Sequence, residues 1–126
     1  MPRMIFPNLP VKDVAASRAF WTRLGFTFNE EFCSTDAACL VINDMASVML
    51  LRETFFHGFH GTRSHTGTET MICVTAHDRE DVDQLCARAA EAGAEVMGSV
   101  DEAPMYGGSF RDLDGHIWEV LWMETS

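Results

Sequence analysis

One order of elements occurs twice in the sequence, and this internal repeat restricts the fold more than any other feature. In each half, an apolar run is followed by an aspartate, a helical pattern and a glycine at the helix end. The two glycines, Gly25 and Gly93, lie a little more than half the chain length apart. Short runs typical of strands follow each glycine. The sequence therefore predicts an α+β fold built from one unit used twice.

The helix of the first half is predicted between Asp13 and Gly25. An aspartate carboxylate accepts the free amide hydrogens of a first helical turn, and glycine is favoured immediately after a helix. The apolar residues of this helix are Val14, Phe20, Trp21 and Leu24. Residues 4–9 form an apolar run before it, which we interpret as the first strand.

The second half repeats this pattern. Residues 71–74 predict a buried strand, and Asp78 and Asp81 are alternative caps for the helix that follows. Four residues recur at the spacing of one helix face: Val82, Leu85, Cys86 and Ala89. Gly93 then ends the helix.

Three further strands are predicted after each helix. They are residues 26–32, 38–42 and 47–51 in the first half, and 94–100, 106–111 and 116–122 in the second. Residues 112–115 supply a tight turn before the last strand. Each half is therefore a βαβββ module. We predict a single domain with module 1 at about residues 1–53, a linker at about 54–68 and module 2 at about 69–126.

The charge of the chain excludes one class of partner. Nineteen acidic and nine basic residues give a net charge of −10, which opposes binding to nucleic-acid phosphates. No stretch reaches the ~20 apolar residues of a membrane helix, and residues 1–8 lack the features of a secretion signal. We therefore expect a cytoplasmic protein with no nucleic-acid or membrane partner. The four cysteines show no C-x-x-C spacing, so no disulfide framework is expected.

Three runs of residues carry a resemblance to a known superfamily. They are NLPVKD at 8–13, FWTRLGF at 20–26 and DLDGHIWEV at 112–120. In this order, over essentially the whole chain, they resemble the vicinal oxygen chelate superfamily, which includes glyoxalase I, bleomycin-resistance proteins and extradiol dioxygenases. The resemblance implies two βαβββ modules whose mixed sheets curl around a cup for the ligand or metal, and a homodimer.

Metal-dependent members resemble one another in four ligand positions: His or Gln on the first strand, Glu on the fourth, His on the fifth and Glu on the eighth. Alignment on Asp13 places these positions at Phe6, at Leu50 or Met49, at Met71 or Thr70, and at Glu119. Only Glu119 has the chemistry of a ligand. One carboxylate among apolar side chains cannot hold a catalytic divalent ion. We therefore expect no metal and no other cofactor.

The residues predicted to face the cup and bind the ligand are Phe6, Asn8, Leu50, Arg52, Met71 and Glu119. Methionine and aromatic residues make up one residue in six, which suits a hydrophobic or aromatic ligand, although such residues also fill ordinary cores. Strand alternation puts Glu119 on one face with Ile117 and Leu121. Glu119 then serves a ligand as a base or hydrogen-bond acceptor, or pairs with a neighbouring donor such as Arg52.

The predicted linker offers a second, weaker site. His57 and His60 form an H-x-x-H run with Glu53 one turn before, which can serve zinc if the segment is helical. The alternative is a flexible loop with solvated histidines, including His65, in which three phenylalanines form an aromatic lid. Elsewhere, Cys39 and Cys73 show no spacing that identifies a nucleophile. The pair at residues 107–108, both glycine, either widens the cup or marks a strand irregularity.

The sequence thus favours a metal-independent protein that sequesters or accommodates a hydrophobic or aromatic small molecule, as in bleomycin resistance. The alternative is an enzyme that uses Glu119, either metal-free or with a metal held by Glu119 and linker histidines. The reactions implied for such an enzyme are those of a glyoxalase-like lyase, an isomerase or an extradiol-type dioxygenase. A third reading is a dimeric scaffold with a filled core and no pocket.

Overall fold

The computed structural model describes residues 3–60 and 70–124. Contacts between residues divide the chain into two compact units, Met1–Ser64 and His65–Ser126. Each unit contains one four-stranded sheet in which the first and last strands of the module lie side by side and parallel.

The described residues of the first unit form four strands, two α-helices and a short 3-10 helix. In chain order they are β1 (Asn8–Val11), α1 (Val14–Arg23), β2 (Thr27–Phe28), the 3-10 helix (Glu30–Phe32), β3 (Ala37–Asn43), β4 (Ala46–Arg52) and α2 (Glu53–His60). The sheet order is β1-β4-β3-β2. β1 is parallel to β4, and the other pairs are antiparallel.

The predicted ends of α1 are confirmed by their hydrogen bonds and backbone. The Asp13 carboxylate accepts the amide hydrogen of Ala16 at 3.0 Å, and Gly25 has φ of 97°, a value that favours glycine. Phe20 and Trp21 on this helix are almost fully buried, and the Trp21 ring contacts the Phe20 and Phe26 rings edge-on. This aromatic cluster anchors α1 in the core of the first unit.

The second unit contains four strands and one helix. They are β5 (Met71–Thr75), α3 (Arg79–Glu91), β6 (Glu95–Glu102), β7 (Met105–Arg111) and β8 (Ile117–Met123), with the sheet order β5-β8-β7-β6. Of the two predicted caps, Asp78 is the one used, because its carboxylate accepts the Asp81 amide hydrogen at 2.7 Å. The Asp81 carboxylate instead accepts the amide hydrogen of His77.

The α+β class and the two βαβββ modules predicted from the sequence are confirmed, with three local differences. β1 begins at Asn8 instead of residue 4. The strand predicted at 26–32 stops at Phe28, because the Asn29 side chain accepts the Glu31 amide hydrogen and starts the 3-10 helix. Residues 54–60, predicted as the start of the linker, belong to α2 (Glu53–His60). Residues 61–69 lie outside the described part of the chain. No helix in the described part has the length and apolar content needed to cross a membrane.

Candidate functional site

The strand register separates the candidate residues of the first unit. Asn8 pairs with Met49, and Leu9 pairs with Leu50. Paired residues of neighbouring strands point to the same face, and the faces alternate along each strand. Leu50 therefore lies on the face opposite to Asn8, where it is 0% exposed. The prediction that these two residues share an inward face is wrong; Met49, the alternative at that ligand position, shares the face of Asn8.

The polar candidates of the first unit have local partners. The Asn8 side-chain amide donates to the carbonyl oxygen of Phe6 at 2.7 Å, and the Phe6 side chain is exposed. Arg52 donates from Nε to the Asp36 carboxylate at 2.6 Å. The structure thus gives Arg52 a carboxylate partner within its own unit.

Glu119 lies at the middle of β8, on the less buried face of the second sheet. Its strand neighbours Trp118 and Val120 are completely buried, whereas Glu119 and Leu121 are half-buried. This is the alternation that the sequence predicts. On the face of Glu119, the register aligns one residue from each neighbouring strand with it, Cys73 on β5 and Ser109 on β7. A thiol, a carboxylate and a hydroxyl therefore lie in one row across the sheet.

The Cys73 thiol lies beside the Glu119 carboxylate in the strand register, and it donates to the Val74 carbonyl oxygen at 3.9 Å. Partial burial raises the pKa of this thiol, and the charge and acceptor oxygens of Glu119 raise it further. Cys73 therefore remains a neutral donor at neutral pH and is a poor nucleophile in this state. Sequence reasoning missed this contact, because alternation shows that Met71 and Cys73 share a face but not which of them lies beside Glu119. Met71 pairs with Ile117 and is the more distant of the two.

A pocket of about 260 Å³ opens beside Glu119 between β6, β7 and β8. Its lining residues are Gly98, Ser99, Val100, Met105, Gly107, Gly108, Ser109, Glu119 and Leu121. Among them, Val100, Met105 and Leu121 supply apolar side chains, and Glu119 supplies the one ionisable group. The volume lies just below the usual range of ligand sites, which starts at about 300 Å³, so the pocket suits a small molecule.

Three glycines form part of the pocket wall, and two of them have no room for a side chain: a Cβ at Gly108 would lie 2.9 Å from Cys86 Sγ, and Gly107 is similarly enclosed. A Cβ at Gly107 would lie 2.8 Å from the Val120 carbonyl oxygen and 3.1 Å from Leu121. At Gly98 a Cβ meets only Ser109 Oγ, at 4.0 Å, and the Gly98 amide hydrogen is donated to that oxygen. The β7–β8 register is continuous through residues 107–108. The strand irregularity lies instead in β6, between Val96 and Ser99.

The described residues do not fit the divalent metal ion that metal-dependent relatives would hold. Among the described side chains, those of residues 3–59 and 70–124, no group of three or more His, Cys, Asp or Glu residues is placed to hold a metal ion. The H-x-x-H run with His57 lies on α2, so its segment is helical, as the zinc interpretation requires. His65 falls outside the described residues.

Comparison with known proteins assigns the family. The model of the glyoxalase/bleomycin resistance protein/dioxygenase superfamily matches residues 4–120. A hypothetical protein from S. aureus is 30% identical, with a TM-score of 0.83 over 97% of this chain and 94% of that one. A glyoxalase/bleomycin resistance protein/dioxygenase family enzyme from Burkholderia phytofirmans PsJN is 16% identical, with a TM-score of 0.86 over 98% of this chain and 100% of that one.

A third similar structure is a lactoylglutathione lyase from Agrobacterium tumefaciens, 16% identical, with a TM-score of 0.71 over 97% of this chain and 94% of that chain. At such identities the likeness of the second and third structures extends to the fold alone. A comparison with curated protein sequences finds no significant match. The family model spans nearly the whole chain, and the sequence resemblance and the βαβββ topology agree with it. The chain belongs to the glyoxalase/bleomycin resistance protein/dioxygenase superfamily.

Proposed function

We propose that this protein binds a hydrophobic or aromatic small molecule in the pocket of the second unit, without a resident metal ion. The observation that carries the proposal is the composition of the pocket, in which three apolar side chains surround a single carboxylate. Ligand sites typically combine apolar walls with a few polar groups that orient the ligand. Val100, Met105 and Leu121 would enclose the apolar part of the ligand, and Glu119 would orient it.

The donor set of the described residues supports metal-independent binding. Glu119 is joined by a neutral thiol and a hydroxyl across the sheet, and no group of three metal-binding side chains forms in the described ranges. A metal ion would have to displace the thiol proton to bind here, and Glu119 is the one ionised ligand in this row. Binding would therefore rest on apolar enclosure and on hydrogen bonds to Glu119 and Ser109.

A second candidate function is a metal-free lyase or isomerase in which Glu119 accepts a proton from the substrate. The half-buried position of Glu119 at the pocket wall favours this alternative, because a general base must lie within hydrogen-bond reach of the proton that it removes. Turnover of a bound compound that is lost in Glu119→Gln would favour the enzyme over a binding protein.

The binding proposal is tested with N-phenyl-1-naphthylamine, a neutral apolar dye whose fluorescence rises in apolar sites. We expect saturable binding by the full chain that is unchanged in excess EDTA. Gly98→Leu places a side chain at the pocket wall and should abolish it. Gly58→Leu is the matched control, because a Cβ at Gly58 meets no atom within 4 Å. Equal binding by both variants, or near-stoichiometric metal that is lost on Glu119→Ala, would contradict the proposal.

A further inference from the structure

The charge of the pocket limits the chemistry of its ligand. Glu119 is the one ionisable residue among those that line the pocket, and the other polar side chains there are the hydroxyls of Ser99 and Ser109. Neither hydroxyl carries a charge that could offset the carboxylate. A ligand seated against this wall therefore meets one negative charge in otherwise apolar surroundings.

The arginines nearest to Glu119 along the sheet interact with other acceptor groups. Arg111, two residues from Ser109 on β7, lies 3.7 Å from the Glu95 carboxylate and donates to the Gly115 carbonyl oxygen. Arg79 pairs with Asp101 and lies over the Tyr106 ring. Within residues 3–60 and 70–124, no ion pair joins Glu119 to a basic side chain.

The neighbour of Glu119 on β5 is a weak hydrogen-bond donor. It is the Cys73 thiol, and an S–H group is a poor donor compared with N–H or O–H. A carboxylate can accept about four hydrogen bonds, so Glu119 can still accept hydrogen bonds from a ligand in the pocket. A half-buried carboxylate is stabilised most by a charged donor, since hydrogen bonds between ionised groups are roughly twice as strong as neutral ones.

We propose that the ligand is a lipophilic amine, that is, a molecule with a protonated amino group on an aromatic or branched apolar body. The amino group would donate to Glu119, and the apolar body would contact Val100, Met105 and Leu121. Methionine adapts to flat or irregular apolar surfaces, and the net charge of −10 attracts cations from solution. This inference rests on the proposed function, because it names the ligand class of the same pocket.

The test compares three naphthalenes of equal shape and different charge by isothermal titration calorimetry. They are 1-naphthylmethylamine, which is a cation at pH 7, 1-naphthalenemethanol, which is neutral, and 1-naphthoate, which is an anion. We expect the amine to bind about tenfold more tightly than the alcohol, given the strength of a charge-assisted hydrogen bond. The anion should bind most weakly.

Glu119→Gln should remove the preference and bring the amine to the affinity of the alcohol. Glu102→Gln is the matched control, because it removes the same charge from an exposed position on β6 outside the pocket lining and should keep the preference. Alcohol binding with no gain for the amine would overturn the ligand class and leave the proposed function standing. Failure of all three naphthalenes and of N-phenyl-1-naphthylamine would overturn both. If Glu119→Gln does not fold, the affinities of the three naphthalenes for the unsubstituted protein still test the ligand class.

Discussion

Asp112 closes the turn that positions β8, and its removal should destabilise the second unit. The carboxyl is 8% exposed and accepts three N–H groups. The backbone amides of Asp114 and His116 donate to Oδ1 at 2.9 and 3.0 Å, and the Trp118 indole donates to Oδ2 at 2.9 Å. Since Trp118 immediately precedes Glu119, this carboxyl fixes the start of the strand that carries the candidate site.

The substitution Asp112→Asn isolates the bond to Trp118. An asparagine oxygen can keep the two backbone donors, but its amino group then faces the indole N–H. A buried donor left without an acceptor costs about 1–3 kcal/mol. Burial raises the pKa of the Asp112 carboxyl, so part of this cost is offset because the amide carries no charge to bury. We expect a net loss of about 1–2 kcal/mol in the free energy of unfolding, or a fall in Tm of roughly 5 °C.

The pH dependence of this loss has a definite sign. The pKa of Asp112 is raised in the folded protein above its ordinary value of 3.8, chiefly by burial. Between 3.8 and the raised value, the folded state binds more protons than the unfolded state, so this contribution to stability falls as pH rises. Asparagine does not titrate, so the Asp112→Asn variant lacks this pH-dependent contribution to stability. The loss caused by Asp112→Asn should therefore be larger near pH 3.5 than at pH 7.

Urea denaturation at both pH values, followed by tryptophan fluorescence and circular dichroism, measures these differences. Trp118→Phe supplies the control, because it removes the indole N–H and keeps an aromatic ring. In a double-mutant cycle, Asp112→Asn should cost less in the Trp118→Phe background. Equal costs in the two backgrounds would refute the role given to the Asp112–Trp118 hydrogen bond, and a larger loss at pH 7 would refute the pKa argument.

Three further expectations concern strand packing, the Cys73 thiol and the homodimer implied by the family resemblance. Gly107→Ala should lower the free energy of unfolding by about 1–3 kcal/mol, since its Cβ would meet the Val120 carbonyl oxygen at 2.8 Å, whereas Gly98→Ala should be nearly neutral; equal values in urea denaturation would contradict the packing argument. Glu119→Gln should lower the pKa of the Cys73 thiol, because the carboxylate contributes to raising it, and mass spectrometry should show faster alkylation of Cys73 by iodoacetamide near pH 8; an unchanged rate would count against the contact. The predicted homodimer should give twice the chain mass of 14.1 kDa in light scattering, and a monomer at micromolar concentration would show that expectation to be wrong.

The features that sequence reasoning predicted well are encoded locally. The Asp13 cap and the positive φ at Gly25 depend on residues within one turn of the helix, and cap chemistry is read directly from residue types. The sequence offers Asp78 and Asp81 as alternative caps of α3, because both carboxylates lie near the start of the helix. The structure uses one for the helix amides and the other for the His77 amide, so both candidates have a role.

The features that the sequence did not predict depend on strand register. Alternation shows which residues of one strand share a face. It does not show the register, and a shift of one residue relative to the neighbouring strand moves every side chain to the opposite face. Alignment on a distant helix cap left a one-residue uncertainty between Met49 and Leu50, and the structure places Met49 on the face of Asn8. Cys73 was missed beside Glu119 for the same reason, since a parallel register is set by packing between segments far apart in sequence.

The proposed ligand, an organic cation, would account for both the single carboxylate and the apolar walls of the pocket. A divalent ion requires several charged or strongly polar ligands, so Glu119 with a neutral thiol neighbour would leave most of its coordination unfilled. A protonated amine requires one strong acceptor, and the rest of the molecule prefers apolar contact. Val100, Met105 and Leu121 supply that contact in the same pocket. Leu121→Ala should therefore weaken binding of 1-naphthylmethylamine and of 1-naphthalenemethanol alike in calorimetry, because it removes apolar contact and leaves Glu119 in place; a loss confined to the amine would contradict this division of roles.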